Sequence, residues 1–147
     1  MATGDIIVFN EALEKMLDGD WVSTDDFYCG IIDAGVTPTK AFTTPTWSDF
    51  SGAEVTAAGT YVADGYDLGA LSGLVTFSSN VMTFDSSNNP TWAQDGSNAS
   101  DATWGIVYNW TDAAKDCLAF VELGTVDMSA GALTITWSGS GIYTITN

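Results

Sequence analysis

Three pairs of closely spaced carboxylates, Asp25-Asp26, Asp64 with Asp67, and Asp112 with Asp116, are the residues of this chain best placed to do chemistry. Two neighbouring carboxylates can serve as the acid and base of glycoside hydrolysis, or as part of an oxygen shell around calcium. None of the pairs follows a calcium-loop pattern, and the run from Asp85 to Asn89 lacks the terminal bidentate Glu such a loop needs. Asp among Gly, Ser and Asn is also the ordinary composition of a solvated turn, and the pairs are read here as turn residues.

Other chemistry has little to draw on. The chain has no His and no Arg, and its cations are Lys15, Lys40 and Lys115. The commonest general base and transition-metal ligand is therefore missing, and a Ser or Cys nucleophile would have to rely on a Lys. No Lys falls in a catalytic spacing, and no Gly-rich phosphate loop carries one. The expectation is a protein that is not an enzyme, with no catalytic residue, no cofactor and no metal. Cys29 and Cys117 each sit inside an apolar, strand-like segment. Two buried free thiols are the first reading, and a bridge between their strands is the alternative.

The charge points the same way. Nineteen acidic residues against three lysines give a formal net charge of −16. Such a surface repels phosphate backbones and anionic lipid, so neither nucleic acid nor membrane is an expected partner. No run reaches the length of apolar residues that spans a bilayer, and the start of the chain lacks a basic region before its apolar residues, so no export signal is read. The triplets Asn98-Ala-Ser100 and Asn109-Trp-Thr111 match the glycosylation pattern but are too common to carry weight.

A chain of 147 residues makes one domain, 1–147, with 46% hydrophobic residues and enough length for a core without metal or crosslinks. From Ile6 to Asp18 the apolar residues Phe9, Ala12, Leu13, Met16 and Leu17 recur at helical spacing, with Asp5 as N-cap and Asp18-Gly19 as the stop. This predicts one amphipathic helix over about 6–18, packed on a sheet. Strands follow from about 26 to 146. They include Phe27 to Asp33, a hairpin of Leu74–Phe77 and Val81–Phe84 joined through Ser78-Ser-Asn80, and four C-terminal segments: Gly105–Trp110, Cys117–Leu123, Leu133–Trp137 and Ile142–Thr146. The predicted fold is mainly β: an antiparallel β-sandwich or flattened barrel with the N-terminal amphipathic helix packed on it.

The candidate core is Phe9, Leu13, Leu17, Cys29, Ile31, Phe77, Phe84, Ile106, Tyr108, Phe120, Leu133, Ile135 and Trp137. Two polar loops, 85–101 and 110–116, form the candidate interaction surface, represented by Asn88, Trp92, Asn98, Trp110, Asp112 and Lys115. Six Trp residues also invite a carbohydrate-binding β-module as an alternative, although core packing or subunit contact is the favoured role.

The order of features runs Val8-Phe9-Asn10, a short helix, Leu17-Asp-Gly19, a Thr/Pro loop, Gly52-Ala-Glu-Val55, Gly59-Thr-Tyr61, Trp104-Gly-Ile-Val-Tyr108, Phe120-Val-Glu-Leu-Gly124, Leu133-Thr-Ile-Thr-Trp137 and Gly141-Ile142. Over nearly the whole chain this resembles a family of small structural proteins of tailed bacteriophages, found among head and tail genes and called decoration, head-fibre or tail proteins. The chain departs from that pattern where a basic residue often precedes the Ala-Val-Ile-Tyr-like strand, since Thr103-Trp-Gly105 stands there. The resemblance implies a non-enzymatic virion component made in the host cytoplasm. It implies a capsid decoration or cement protein on the exterior of the head, partnered by the major capsid protein and forming a homo-oligomer such as a trimer. A tail-associated fibre or adaptor protein, with tail proteins as partners, is the alternative it leaves open.

Overall fold

A computed structural model describes residues 4–146. The chain opens on a strand rather than a helix: β1 (Ile6–Val8) pairs antiparallel with β8 (Cys117–Val126), Ile7 opposite Phe120. Two Ile and a Val in succession are stiff at χ1 and favour the extended state. The expected helix therefore loses its first turn, and Asp5 does not cap it. Helix α1 (Asn10–Asp18) begins after Phe9 and stops at Gly19, whose left-handed backbone (φ 77°) turns its N–H onto the Lys15 carbonyl.

Strands β2 (Asp26–Ile32), β3 (Tyr66–Ala70) and β7 (Ala102–Asn109) complete a five-stranded antiparallel sheet in the order β1-β8-β7-β2-β3. One face carries Tyr28, Gly30, Ile106, Tyr108 and Phe120, and Phe9, Trp47 and Phe50 cover it. Trp47 and Phe50 belong to the single-turn helix α2 (Trp47–Phe50), which continues into a 3-10 turn over Ser51–Ala53. The other face carries Phe27, Cys29, Ile31 and Gly105, against which Phe84 and Ile135 pack.

Phe84 belongs to one further sheet, and Ile135 directly follows a strand of another. Strands β4 (Val75–Ser78), β5 (Val81–Phe84) and β10 (Tyr143–Thr146) make a three-stranded sheet in the order β10-β5-β4, introduced by the short helix α3 (Leu71–Leu74). The β4–β5 turn places Ser79 (φ 51°) and Asn80 (φ 64°) both in the left-handed region, the geometry of a two-residue hairpin turn. Strands β6 (Thr91–Trp92) and β9 (Leu133–Thr134) pair alone.

The expected sandwich or flattened barrel with one helix is thus overturned. The fold of the described residues is mixed α/β, with three separate, unclosed antiparallel sheets and three helices. The four C-terminal segments do not run on as one meander. After β8 the chain is captured by the 88–92 loop: Ile135 N–H donates to the Pro90 carbonyl (2.9 Å), Trp137 N–H to Asn89 Oδ1 (3.2 Å) and Trp137 Nε1–H to the Asn88 carbonyl (3.0 Å). Proline offers no N–H in return, so this pairing cannot lengthen into a full ladder.

Of the candidate core residues, Phe9, Cys29, Ile31, Phe84, Ile106, Tyr108, Phe120, Leu133, Ile135 and Trp137 are buried. Leu13, Leu17 and Phe77 are not: they are 40%, 86% and 71% exposed. Leu13 and Leu17 lie on the flank of α1 turned away from Ala12, its one fully buried residue, and Phe77 lies where β4 runs past the body. Cys29 and Cys117 are both buried and free, with β7 between their strands. Burial pushes the Cys29 thiol up to about 12 and raises that of Cys117 well above its usual value, so both stay protonated and unreactive.

Candidate functional site

Five of the six carboxylates in these pairs are engaged within the fold, and Asp26 is the exception. Asp25 is buried, and its Oδ2 accepts Asn109 Nδ2–H (2.8 Å) and Val22 N–H (3.0 Å), while Asp26 lies in β2. Asp67 accepts the N–H of Gly69 (2.8 Å), and Asp112 that of Ala114 (3.0 Å). Asp116 pairs with Lys15 (3.3 Å), which also reaches Asp20 (3.1 Å). Burial raises the Asp116 carboxyl, partly offset by Lys15, and the two carboxylates hold the Lys15 ammonium above its usual range. Among the described residues no group of three or more His, Cys, Asp or Glu could hold a metal ion.

The densest polar cluster surrounds Asp64, which sits in a left-handed conformation (φ 70°) just before Gly65. Its Oδ1 accepts Trp47 Nε1–H (3.2 Å) and pairs with Lys115 (3.4 Å), and its carbonyl accepts the Tyr108 hydroxyl (2.7 Å). Its own N–H donates to Glu54 Oε1 (2.6 Å), which also accepts the Tyr61 hydroxyl (2.9 Å). Burial raises the Glu54 carboxyl. A raised carboxyl in a cleft is a candidate acid, but here its protein partners fix Glu54, and a Lys joins the cluster only through Asp64. The arrangement clamps the 54–65 loop, α2 and the 110–116 loop together.

The residues expected to form an interaction surface divide between outside and inside. Asn88 is exposed, and Trp110, Asp112 and Lys115 are half-buried. Trp110 is committed within the chain, stacked on Tyr28 (4.9 Å between centroids), with the Lys115 ammonium 3.5 Å from its own centroid. Trp92 and Asn98, by contrast, are buried. Trp92 packs against Tyr61 and Tyr66. Asn98 accepts Thr60 N–H (2.9 Å) and Tyr61 N–H (3.3 Å) and donates to the Ala93 (2.9 Å) and Met128 (3.3 Å) carbonyls, so it staples three loops. Within the polar run 85–101 most residues stay exposed, and Asn98 turns inward where backbone groups of the 60–61, 93 and 128 segments need partners. Asn98 and Asn109, the two glycosylation matches, are both buried.

A second feature lies at the three-stranded sheet, and no residue spacing announced it. Met82 of β5 stands opposite Phe77 of β4 and Ile145 of β10, and directly opposed residues share a face. The same face carries Val75, Phe84 and Tyr143 one rung inward, where Phe84 stacks on Tyr143 and joins the core. The opposite face carries Thr76, Thr83 and Thr144. The apolar face therefore runs past the body into solvent. Leu13, Met16 and Leu17 of α1 meet Met82 and Ile145 there in a hollow of about 300 Å³. Met16 also lines an adjoining hollow with Trp21, Leu71 and Val75. A contiguous exposed apolar patch of this kind marks a contact site in soluble proteins.

A larger groove of about 500 Å³ lies between β1, β8 and the 133–142 segment, walled by Ile6, Val121, Leu133 and Trp137, with Asp5 and Glu122 as its ionisable residues. No protein-family model, curated protein or solved structure matches this chain.

Proposed function

We propose that the protein is a non-enzymatic structural component of a tailed-phage particle, a decoration or cement protein on the outside of the head, acting by contact. The observation that carries the contact role is the apolar face of Phe77, Met82, Ile145, Leu13 and Leu17, left at the surface of a protein whose two thiols are buried. The particle assignment rests on the likeness of the chain, segment by segment, to the phage structural proteins. An acidic surface suits a position away from packaged DNA.

Five of the six Trp side chains are buried and the sixth is stacked on Tyr28, so no open aromatic row offers a platform for sugar. The test is electron cryo-microscopy of the phage particle with mass spectrometry of its proteins. An ordered array of this chain on the head exterior is the expected result. Density confined to the tail would replace the head assignment, and absence from the particle would overturn the reading.

A further inference from the structure

The apolar face has an occupant that its surroundings specify. Leu17 and Phe77 are more exposed than any other large apolar side chains described, and Ile145 (43%) and Leu13 (40%) join them across Met82. On the helix side, Glu14 and Asp18 follow Leu13 and Leu17 and are themselves exposed, so the patch has an acidic rim. The cation of α1, Lys15, is already held by Asp20 and Asp116.

A second copy of this chain fits poorly. An isologous interface would bring two such acidic rims into one contact, in a molecule carrying −16 overall and three lysines in total. An anionic lipid surface meets the same repulsion. A chain of the opposite sign meets neither obstacle.

We infer that this face docks a different protein, through an apolar segment flanked by Lys or Arg, whose side chains fill the hollow between α1 and β5 while its cations meet Glu14 and Asp18. The adjoining hollow is walled in part by Trp21, whose indole N–H is buried without an acceptor among the described residues. The inference deepens the contact role proposed above and rests on it: in a head, the partner is a shell subunit presenting such a segment.

The test compares the wild-type protein with the Phe77→Ser/Ile145→Ser variant, which leaves the net charge unchanged. Circular dichroism checks the fold, and Leu17→Ser serves if the double variant does not fold. Each protein is titrated against a fluorescent amphipathic helical peptide of Leu and Lys, and against its Leu and Glu counterpart. Saturable binding of the Lys peptide, weaker by about tenfold or more in the variant, and no binding of the Glu peptide are expected. Equal binding by wild type and variant would mean simple charge attraction and would overturn the inference. So would a wild-type dimer in sedimentation velocity that the variant loses, or tighter binding to phosphatidylcholine–phosphatidylglycerol vesicles than to the peptide. Incorporation of both proteins into particles separates the two proposals. A variant incorporated as well as wild type sinks the docking face alone, whereas wild type absent from particles sinks the virion assignment and leaves the peptide result standing.

Discussion

Trp47 and Tyr108 lie face to face, with ring centroids 4.6 Å apart and planes within 3° of parallel, and both donate hydrogen bonds to Asp64. The stack joins α2 to the central strand β7, and the Trp47 ring lies where a Cβ on Gly30 would stand. Trp47→Ala should cost about 3–5 kcal/mol, as large aromatic deletions in a core do. Trp47→Phe keeps part of the stack but leaves Asp64 without the indole donor, and should cost about 1–2 kcal/mol. Urea unfolding followed by far-ultraviolet circular dichroism checks both, each midpoint being read from that variant's own folded and unfolded baselines.

Gly65 follows Asp64 with φ 92°, and a Cβ there would meet the backbone carbonyl of Cys29 on β2. Neither the conformation nor the contact can relax without lifting the 54–65 loop off the sheet. Gly65→Ala should destabilise the protein by about 3 kcal/mol or more, whereas Gly73→Ala, with open space around it, should not. Comparing the two urea midpoints tests the assignment, and similar midpoints would contradict it.

Asn98 satisfies backbone groups of three loops from a buried position. Asn98→Ala should cost about 3 kcal/mol because several donors and acceptors are left buried without partners. Asn98→Asp keeps the acceptor for Thr60 and Tyr61 but loses the donor to Ala93 and Met128, and buries a charge besides, so it should be no milder. Hydrogen exchange at Thr60 and Tyr61 should quicken in the Ala variant more than in β7.

Glu54 has a carboxyl raised by burial, so the folded protein holds its proton to higher pH than the unfolded chain does. Its contribution to stability is therefore fully present below the ordinary Glu range and is lost as pH rises through the raised value. Glu54→Gln cannot ionise and escapes that loss. The difference in melting temperature between Glu54→Gln and wild type should move in favour of the variant as pH rises through this window, and be constant below it. A difference that moves the other way would place the dominant influence on Glu54 with the hydrogen bonds it accepts from the Tyr61 hydroxyl and the Asp64 N–H instead of burial.

Much of the secondary structure is legible in the residues. Ser78-Ser-Asn80 marks the β4–β5 hairpin, and the apolar runs around Ile106 and Phe120 mark β7 and β8. The start of α1 is not, because helical spacing from Phe9 onward and the β-branched run Ile6–Val8 make opposite demands and the open edge of β8 decides between them. Burial is harder still. Leu13 and Ala12 look alike in a periodic pattern, yet only the placement of α1 against the sheets makes one exposed and the other buried. Asn98 reads as a turn residue among Ser, Asp and Gly, and its role depends on Thr60 and Met128, which sequence distance conceals. The apolar face at Phe77 was hidden for a similar reason, since a strand with one apolar side reads as core until the layer beneath it runs out.

The pairing of β1 with β8 and of β5 with β10 has a consequence for how the chain is made. Neither ladder is local: one joins the first strand to residues beyond 117, and the other waits for the last strand. As the polypeptide leaves the ribosome, β1 and the β4–β5 hairpin emerge long before their partners, with sheet edges open to any passing strand. Such a high contact order favours slow, late closure. The stretches that wait, 68–84 with the hairpin and 128–147 with its last partner, carry no charged residue at all, so only the acidic segments between and before them keep neighbouring copies apart until that closure is complete.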